Sequence, residues 1–138
     1  MRVVILGCGR LGARTAELLN AAGHDVTVID QDAEAFRHLS PEYRGRAIVG
    51  IGIDDEILRQ ARTDEADVFI ALTGGDNTNI MASQVARHAF NVPHVISQIK
   101  DPIRGEAYDK LGITTVCPTI IGADAVGEIF QRVESSGR

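Results

Sequence analysis

The sequence predicts an α/β fold: a parallel sheet of six strands with helices on both faces. Two observations predict it. Short β-branched apolar runs alternate with helix-periodic segments along the whole chain, as expected of strands buried on both faces of a parallel sheet. The first run is followed at once by Gly7-Cys8-Gly9-Arg10-Leu11-Gly12, a glycine turn that joins a strand to a helix in doubly wound sheets. Right-handed crossovers then favour the Rossmann-type strand order 3-2-1-4-5-6.

The elements follow in order. Arg2 to Leu6 is an apolar run without polar alternation and reads as the first strand. Leu11, Thr15, Leu18, Leu19 and Ala22 fall at helical spacing, and Gly23 closes that helix. Asp25 to Asp30 is the second strand. Asp32 to Leu39 reads as a short helix with Asp32 as its N-cap, stopped by Ser40-Pro41. Arg46 to Val49 is the third strand, and Asp54 or Asp55 caps a helix over Glu56 to Ala61. Asp67 to Leu72 is the fourth strand, and Thr73 to Asn79 is a polar turn. A long helix follows, with Ala82, Val85, Ala86, Ala89 and Phe90 on one face. Pro93 to Ile99 is the fifth strand, with proline tolerated only at its first position. Asp101-Pro102 is expected to open another helix. Ile113 to Val116 is the sixth strand. Pro118-Thr119 leads into a last helix with Val126, Ile129, Phe130 and Val133 on one stripe. One domain thus spans 1–134, and 135–138 read as a flexible tail or the start of a linker.

Composition removes several classes. The chain has 138 residues, the size of one domain. Its net charge of −5, without a basic cluster, argues against nucleic acid held by phosphate neutralisation and against an anionic lipid surface. The apolar runs reach five or six residues, against roughly 20 needed to span a bilayer, so no direct membrane insertion is expected. Cys8 and Cys117 form no CxxC or Cys/His cluster, and a reducing cytoplasm is the default. His24, His38, His88 and His94 have no metal-ligand spacing and read as surface or capping residues.

The glycine turn carries a chemical expectation. Gly7 allows the tight turn, Gly9 lets the backbone approach a pyrophosphate, and Gly12 lets the helix pack closely. Phosphates would sit at the helix N-terminus. Asp30 lies 18 residues after Gly12, at the end of the second strand, where an acid hydrogen-bonds ribose hydroxyls. Its charge disfavours a 2′-phosphate, and neither Gln31 nor Asp32 offers a cation to reverse this, so NAD is preferred to NADP. NAD, ADP and ATP are not separated by Asp30. Arg10 can lie over the phosphates or stay solvated on the first helical turn. Cys8 reads as a space-filler. Thr73, Gly74, Asp76, Asn77 and Asn79 lie at the carboxyl edge of the sheet, where ligands of such folds bind. Asp76 or Asn77 can instead cap the long helix. No acid–base pair or nucleophile arrangement for turnover is visible, so a sensing role is favoured over a nicotinamide oxidoreductase or its cofactor domain.

MRVVILGCGRLG from Met1 to Gly12, VTVID ending at Asp30, ADVFIALTGGDNTN from Ala66 to Asn79 and DPIRGEAYDKLGITTVCPT from Asp101 to Thr119 together resemble the TrkA/KtrA family's N-terminal domain, also called RCK-N or KTN. The resemblance covers essentially the whole chain. It implies a non-enzymatic, cytoplasmic regulatory subunit of a bacterial potassium uptake system, peripheral at the inner face of the membrane. Such a domain binds NAD(H) or ADP/ATP, forms homo-oligomeric dimers or rings, and gates a Trk- or Ktr-type channel subunit. By position, Gly7, Gly9, Gly12 and Arg10 would meet the phosphates, Asp30 the ribose, and Thr73 and Asp76 the same crevice. The last helix resembles a crossover element used in dimer contacts; packing on its own sheet is the other reading. Two departures stand out. Many members carry Gly-Asp-Ala-Thr after the third strand, where this chain has Gly50-Ile51-Gly52-Ile53, so Ile51 can only pack on the adenine. A common arginine of the fifth strand is Gln98 here. Full members continue into a C-terminal regulatory domain, which implies that this chain is an isolated domain or a short subunit.

Overall fold

β1 (Arg2–Leu6) buries Val3 to Leu6 almost completely, and every neighbouring strand runs parallel to it. The computed structural model describes residues 1–137. The remaining strands are β2 (Asp25–Asp30), β3 (Arg46–Val49), β4 (Val68–Ala71), β5 (His94–Gln98) and β6 (Thr114–Val116). Their order is β3-β2-β1-β4-β5-β6, as the sequence predicts. The register places Leu6 beside Ile29 on one side and Ala71 on the other, so three strand ends meet at one edge.

Alternate side chains of β1 divide the core into two layers. Val4 and Leu6 join Ile29, Phe69 and Ala71 beneath α2 (Asp55–Gln60) and α3 (Asp76–His88), which contribute Leu58, Ile80, Ala82 and Ala86. Val3 and Ile5 face the other way, with Val26, Val28 and Ile70, beneath Ala13 and Ala16 of α1 (Arg10–Ala21). Both faces of the central strands are therefore covered, which explains their unbroken apolar runs. Among the described residues, no helix is long and apolar enough to cross a membrane.

Four local expectations need correction. The segment after β2 is a 3₁₀ helix, Ala33–His38; Asp32 caps it by accepting from the Glu34 N–H at 3.0 Å, but none of its residues is buried. The turn after β4 is shorter than expected, because α3 already starts at Asp76. Its N-cap is Gly75, with no side-chain cap, so neither Asp76 nor Asn77 performs that role. Asp101-Pro102 forms a turn, closed by Arg104 N–H to Asp101 C=O at 3.2 Å; α4 (Gly105–Asp109) begins after it. Finally, α5 (Pro118–Ser136) buries none of its residues. Its apolar stripe does not pack on its own sheet, and the helix runs through Ser135 and Ser136, which the sequence pattern assigns to a tail. Of that tail, Arg138 lies outside the described residues.

Candidate functional site

The glycine loop is shaped by close approaches. Gly7 has φ +103° and donates its N–H to Ile29 C=O at 2.7 Å. A Cβ there would lie 2.8 Å from the Leu72 carbonyl, so only glycine fits on two counts. A Cβ on Gly12 would collide with the Gly7 carbonyl oxygen; this glycine lets α1 close onto the loop. Gly9 differs: a Cβ there would meet nothing within 4 Å. Gly9 is the N-cap of α1 and lends no side-chain oxygen to the helix. The first-turn N–H groups therefore lack side-chain partners at an end that favours anions.

Asp30, at the end of β2, fixes the loop from across the sheet. Its Oδ2 accepts from the Cys8 N–H at 2.8 Å and its Oδ1 from the Asp32 N–H at 2.9 Å. Each oxygen keeps a further lone pair. Cys8 itself is fully buried, and burial, with the nearby Asp30 and Glu17 charges adding to it, pushes its thiol up to about 11. It fills space behind the loop and is inert as a nucleophile.

These groups border one cleft of about 580 Å³ at the carboxyl ends of β1 to β4. Gly7, Gly9, Asp30 and Gln31 form one side. Ile51 and Ile53, which are 57% and 42% exposed, form an apolar ledge after β3. Thr73 and Gly74 close the side toward β4. Seven of the expected site residues thus meet in one place.

The others do not line it. Cys8 lies behind the loop and Gly12 beneath it, while Arg10 and Leu11 are exposed on the first turn of α1. Asn79 is fully buried. Its Nδ2 donates to the Thr73 and Gln98 carbonyls, both at 3.0 Å, and its Oδ1 accepts from the Thr73 N–H at 2.9 Å and hydroxyl at 2.6 Å. All four hydrogen-bonding positions of the amide are used, so Asn79 is a strut that holds Thr73. Gln98 adds a 2.8 Å bond from Nε2 to the Thr73 carbonyl, a neutral brace. Asp76 accepts from the Lys100 and Asp101 N–H groups at 2.8 and 3.2 Å and ties α3 to the end of β5. It borders a shallower hollow with Lys100 and Arg104 beyond Gly74-Gly75.

Sequence reasoning missed Ile53, Gly52, Ala35 and Thr78 in the cleft wall. Ile53 was accessible by continuing the two-residue alternation from Ile51. Thr78 was hidden by reading 73–79 as a turn.

Residues 3–119 match the family model of the TrkA-N domain. The chain belongs to the TrkA-N domain family. The resemblance read from its motifs is thereby confirmed. Among curated proteins it is similar to the Trk system potassium uptake protein TrkA of Streptomyces coelicolor, with 44% identity over 137 residues, 99% of this chain and 60% of that protein. A TrkA homolog of Methanothermobacter thermautotrophicus is 37% identical over 116 residues, 84% of this chain and 53% of that protein. The chain thus spans about half to three-fifths of these relatives. Among solved structures, the Kef CTD of Shewanella denitrificans in its AMP-bound form superposes with TM-score 0.84 at 18% identity, covering 99% of this chain and 84% of that one. GsuK bound to ADP gives 0.80 at 23% identity, covering 95% and 34%. At these identities the likeness establishes that the TrkA-N fold is shared.

Proposed function

We propose that this TrkA-N domain is a nucleotide-sensing regulatory module of a Trk- or Ktr-type potassium transport system, which binds NAD(H) or ADP/ATP without turning it over. One observation carries this reading: the open space at Gly9 and the doubly engaged Asp30 carboxylate face the same cleft. An adenine nucleotide fits that donor set. The N-terminus of α1 holds the phosphates, with Arg10 near enough in sequence to swing over them. Asp30 accepts from the ribose diol and opposes a 2′-phosphate. Ile51 and Ile53 give the base an apolar ledge. The ligand would then touch the β1–α1 loop and Thr73-Gly74 at once, so that binding stiffens two loops set by different strands. This is how occupancy could bias an attached channel.

The named relatives support the transport context, and the AMP- and ADP-bound neighbours support the ligand class. In this reading the module works as a homo-oligomer in the cytoplasm, at the inner face of the membrane, against a membrane channel subunit. Calorimetry with NAD+, NADH, AMP, ADP and ATP tests it. Saturable binding of at least one, with no NADH consumed over hours, is the expected result. Failure of all five to bind overturns the proposal, and steady NADH oxidation would select the oxidoreductase alternative.

A further inference from the structure

The glycine loop is braced at a second point, by a side chain that no motif marks. His38, the last residue of the 3₁₀ segment Ala33–His38, places Nδ1 2.9 Å from the Ala35 carbonyl and 3.2 Å from the Cys8 carbonyl. Both partners are acceptors only, so Nδ1 must carry the proton, in the neutral ring as in the charged one.

The consequence lies in one peptide plane. The Cys8 carbonyl and the Gly9 N–H belong to the same amide, and no peptide bond among the described residues is cis. In a planar trans amide the two groups point in opposite directions. Holding the Cys8 oxygen toward His38 therefore turns the Gly9 N–H the other way. The preceding amide is fixed independently, because the Cys8 N–H is held by Asp30 at 2.8 Å. The Gly7 N–H is held by Ile29, and the Gly9 carbonyl accepts from the Ala13 N–H at 2.9 Å. Without His38, the Cys8–Gly9 plane is the one member of this series with no hydrogen-bond anchor among the described residues.

We infer that His38 is a positioning residue for phosphate recognition: by clamping the Cys8 carbonyl it aims the Gly9 N–H at the anion seat. The inference rests on the cleft being a nucleotide site, and it adds a residue and a device to that reading. His38→Leu removes the donor. His38→Asn restores one, because Asn Nδ2 can occupy the place of His Nδ1.

The test is ADP calorimetry on the wild-type chain and both variants, with the melting temperature of each unliganded protein as the control for folding. His38→Leu should weaken ADP binding about tenfold, as expected for one lost hydrogen-bond constraint, and His38→Asn should recover most of it. Equal affinity in His38→Leu and wild type overturns the inference alone. Equal impairment of both variants also overturns it, since a donor would then not be what matters. A wild-type chain that binds no nucleotide overturns the functional reading itself. If His38→Leu does not fold, nitrogen NMR of the wild-type His38 ring decides. A proton on Nδ1, with a downfield ADP-induced shift of the Gly9 amide, supports the clamp; the Nε2 tautomer or an unmoved Gly9 amide overturns it.

Discussion

The Cys8 N–H donates to Asp30 Oδ2 at 2.8 Å, so the acid that ends β2 braces the loop that ends β1. The same carboxylate takes the Asp32 N–H at 2.9 Å. Asp30→Ala removes this brace and the ribose seat together. Two hydrogen bonds to a charged acceptor are lost, at about 1.5–3 kcal/mol each before relaxation. The variant should melt roughly 10 °C lower and lose more than about tenfold in ADP affinity. Calorimetry and thermal denaturation read both effects. ADP affinity left at the wild-type value would remove Asp30 from the site.

Gly9 and Gly12 separate binding from folding. A Cβ on Gly9 meets nothing within 4 Å, whereas one on Gly12 strikes the Gly7 carbonyl oxygen. Gly9→Val should therefore cost at most about 1 kcal/mol, the difference between glycine and a poor cap, while its side chain fills the phosphate space and abolishes ADP binding. Gly12→Ala should lose about 3 kcal/mol or fail to fold. Paired melting and binding curves check this. ADP bound normally by Gly9→Val would show that the phosphates sit elsewhere.

These two residues also show what the sequence could reveal. The doubly covered sheet was legible because Val3 to Leu6, Val26 to Ile29 and Phe69 to Ala71 are apolar at every position but Thr27, and the crossover rule then supplied the strand order. Gly7, Gly9 and Asp30 were legible because their spacing is local and mechanistic. The start of α3 was not. Asn77, Thr78 and Asn79 are poor helix formers, yet Asn79 is helical because its amide is consumed by Thr73 and Gln98 across the sheet edge. His38 was not legible either, since its partner Cys8 lies 30 residues away and is touched through a backbone oxygen. Tertiary hydrogen bonds to backbone leave no trace in side-chain spacing.

Asn79 yields a pH-dependent test. In Asn79→Asp, the oxygen that replaces Nδ2 faces the carbonyls of Thr73 and Gln98. Burial and two acceptors both disfavour its charge, so the folded-state pKa of the new acid lies above the unfolded value of about 3.9. The folded chain then binds the proton more tightly than the unfolded one, and the penalty grows as pH rises. The variant should be about 3 kcal/mol less stable than wild type at neutral pH and approach it below about pH 4. Urea unfolding of both proteins across that range checks it. A constant gap would mean that the carboxyl escapes to solvent.

The two cysteines should react differently. The Cys8 thiol is buried and raised to about 11, whereas Cys117 is partly exposed. At pH 8 iodoacetamide should modify Cys117 and leave Cys8 intact until the chain unfolds, as mass mapping would show. Linkage has a definite sign here. The folded state holds the Cys8 proton more tightly, so this contribution to stability is full below the ordinary thiol value of about 8.5 and is lost as pH climbs toward 11. Early modification of Cys8 would mean that the glycine loop opens readily in the free protein.

The proposal of a homo-oligomer meets its most direct test on α5. Val126, Ile129, Phe130 and Val133 recur at i, i+3, i+4 and i+7, and each is more than half exposed, Phe130 at 63%. This is an amphipathic stripe with no partner in its own sheet. The helix has 19 residues, about 28 Å of length, enough for a self-complementary contact with a second copy. Burying what remains exposed on the four side chains of each of two helices would contribute roughly half to two-thirds of the 1.5–3 kcal/mol that full burial of one such residue is worth, a sum comparable with the cost of association. Sedimentation equilibrium of the wild-type chain should show a dimer or a larger assembly. The double variant Ile129→Glu with Phe130→Glu should be monomeric. Because α5 buries nothing against the sheet, that monomer should keep its fold and its ADP affinity. A monomeric wild-type chain would assign the stripe to a different partner, and loss of folding in the double variant would show that α5 supports the domain after all.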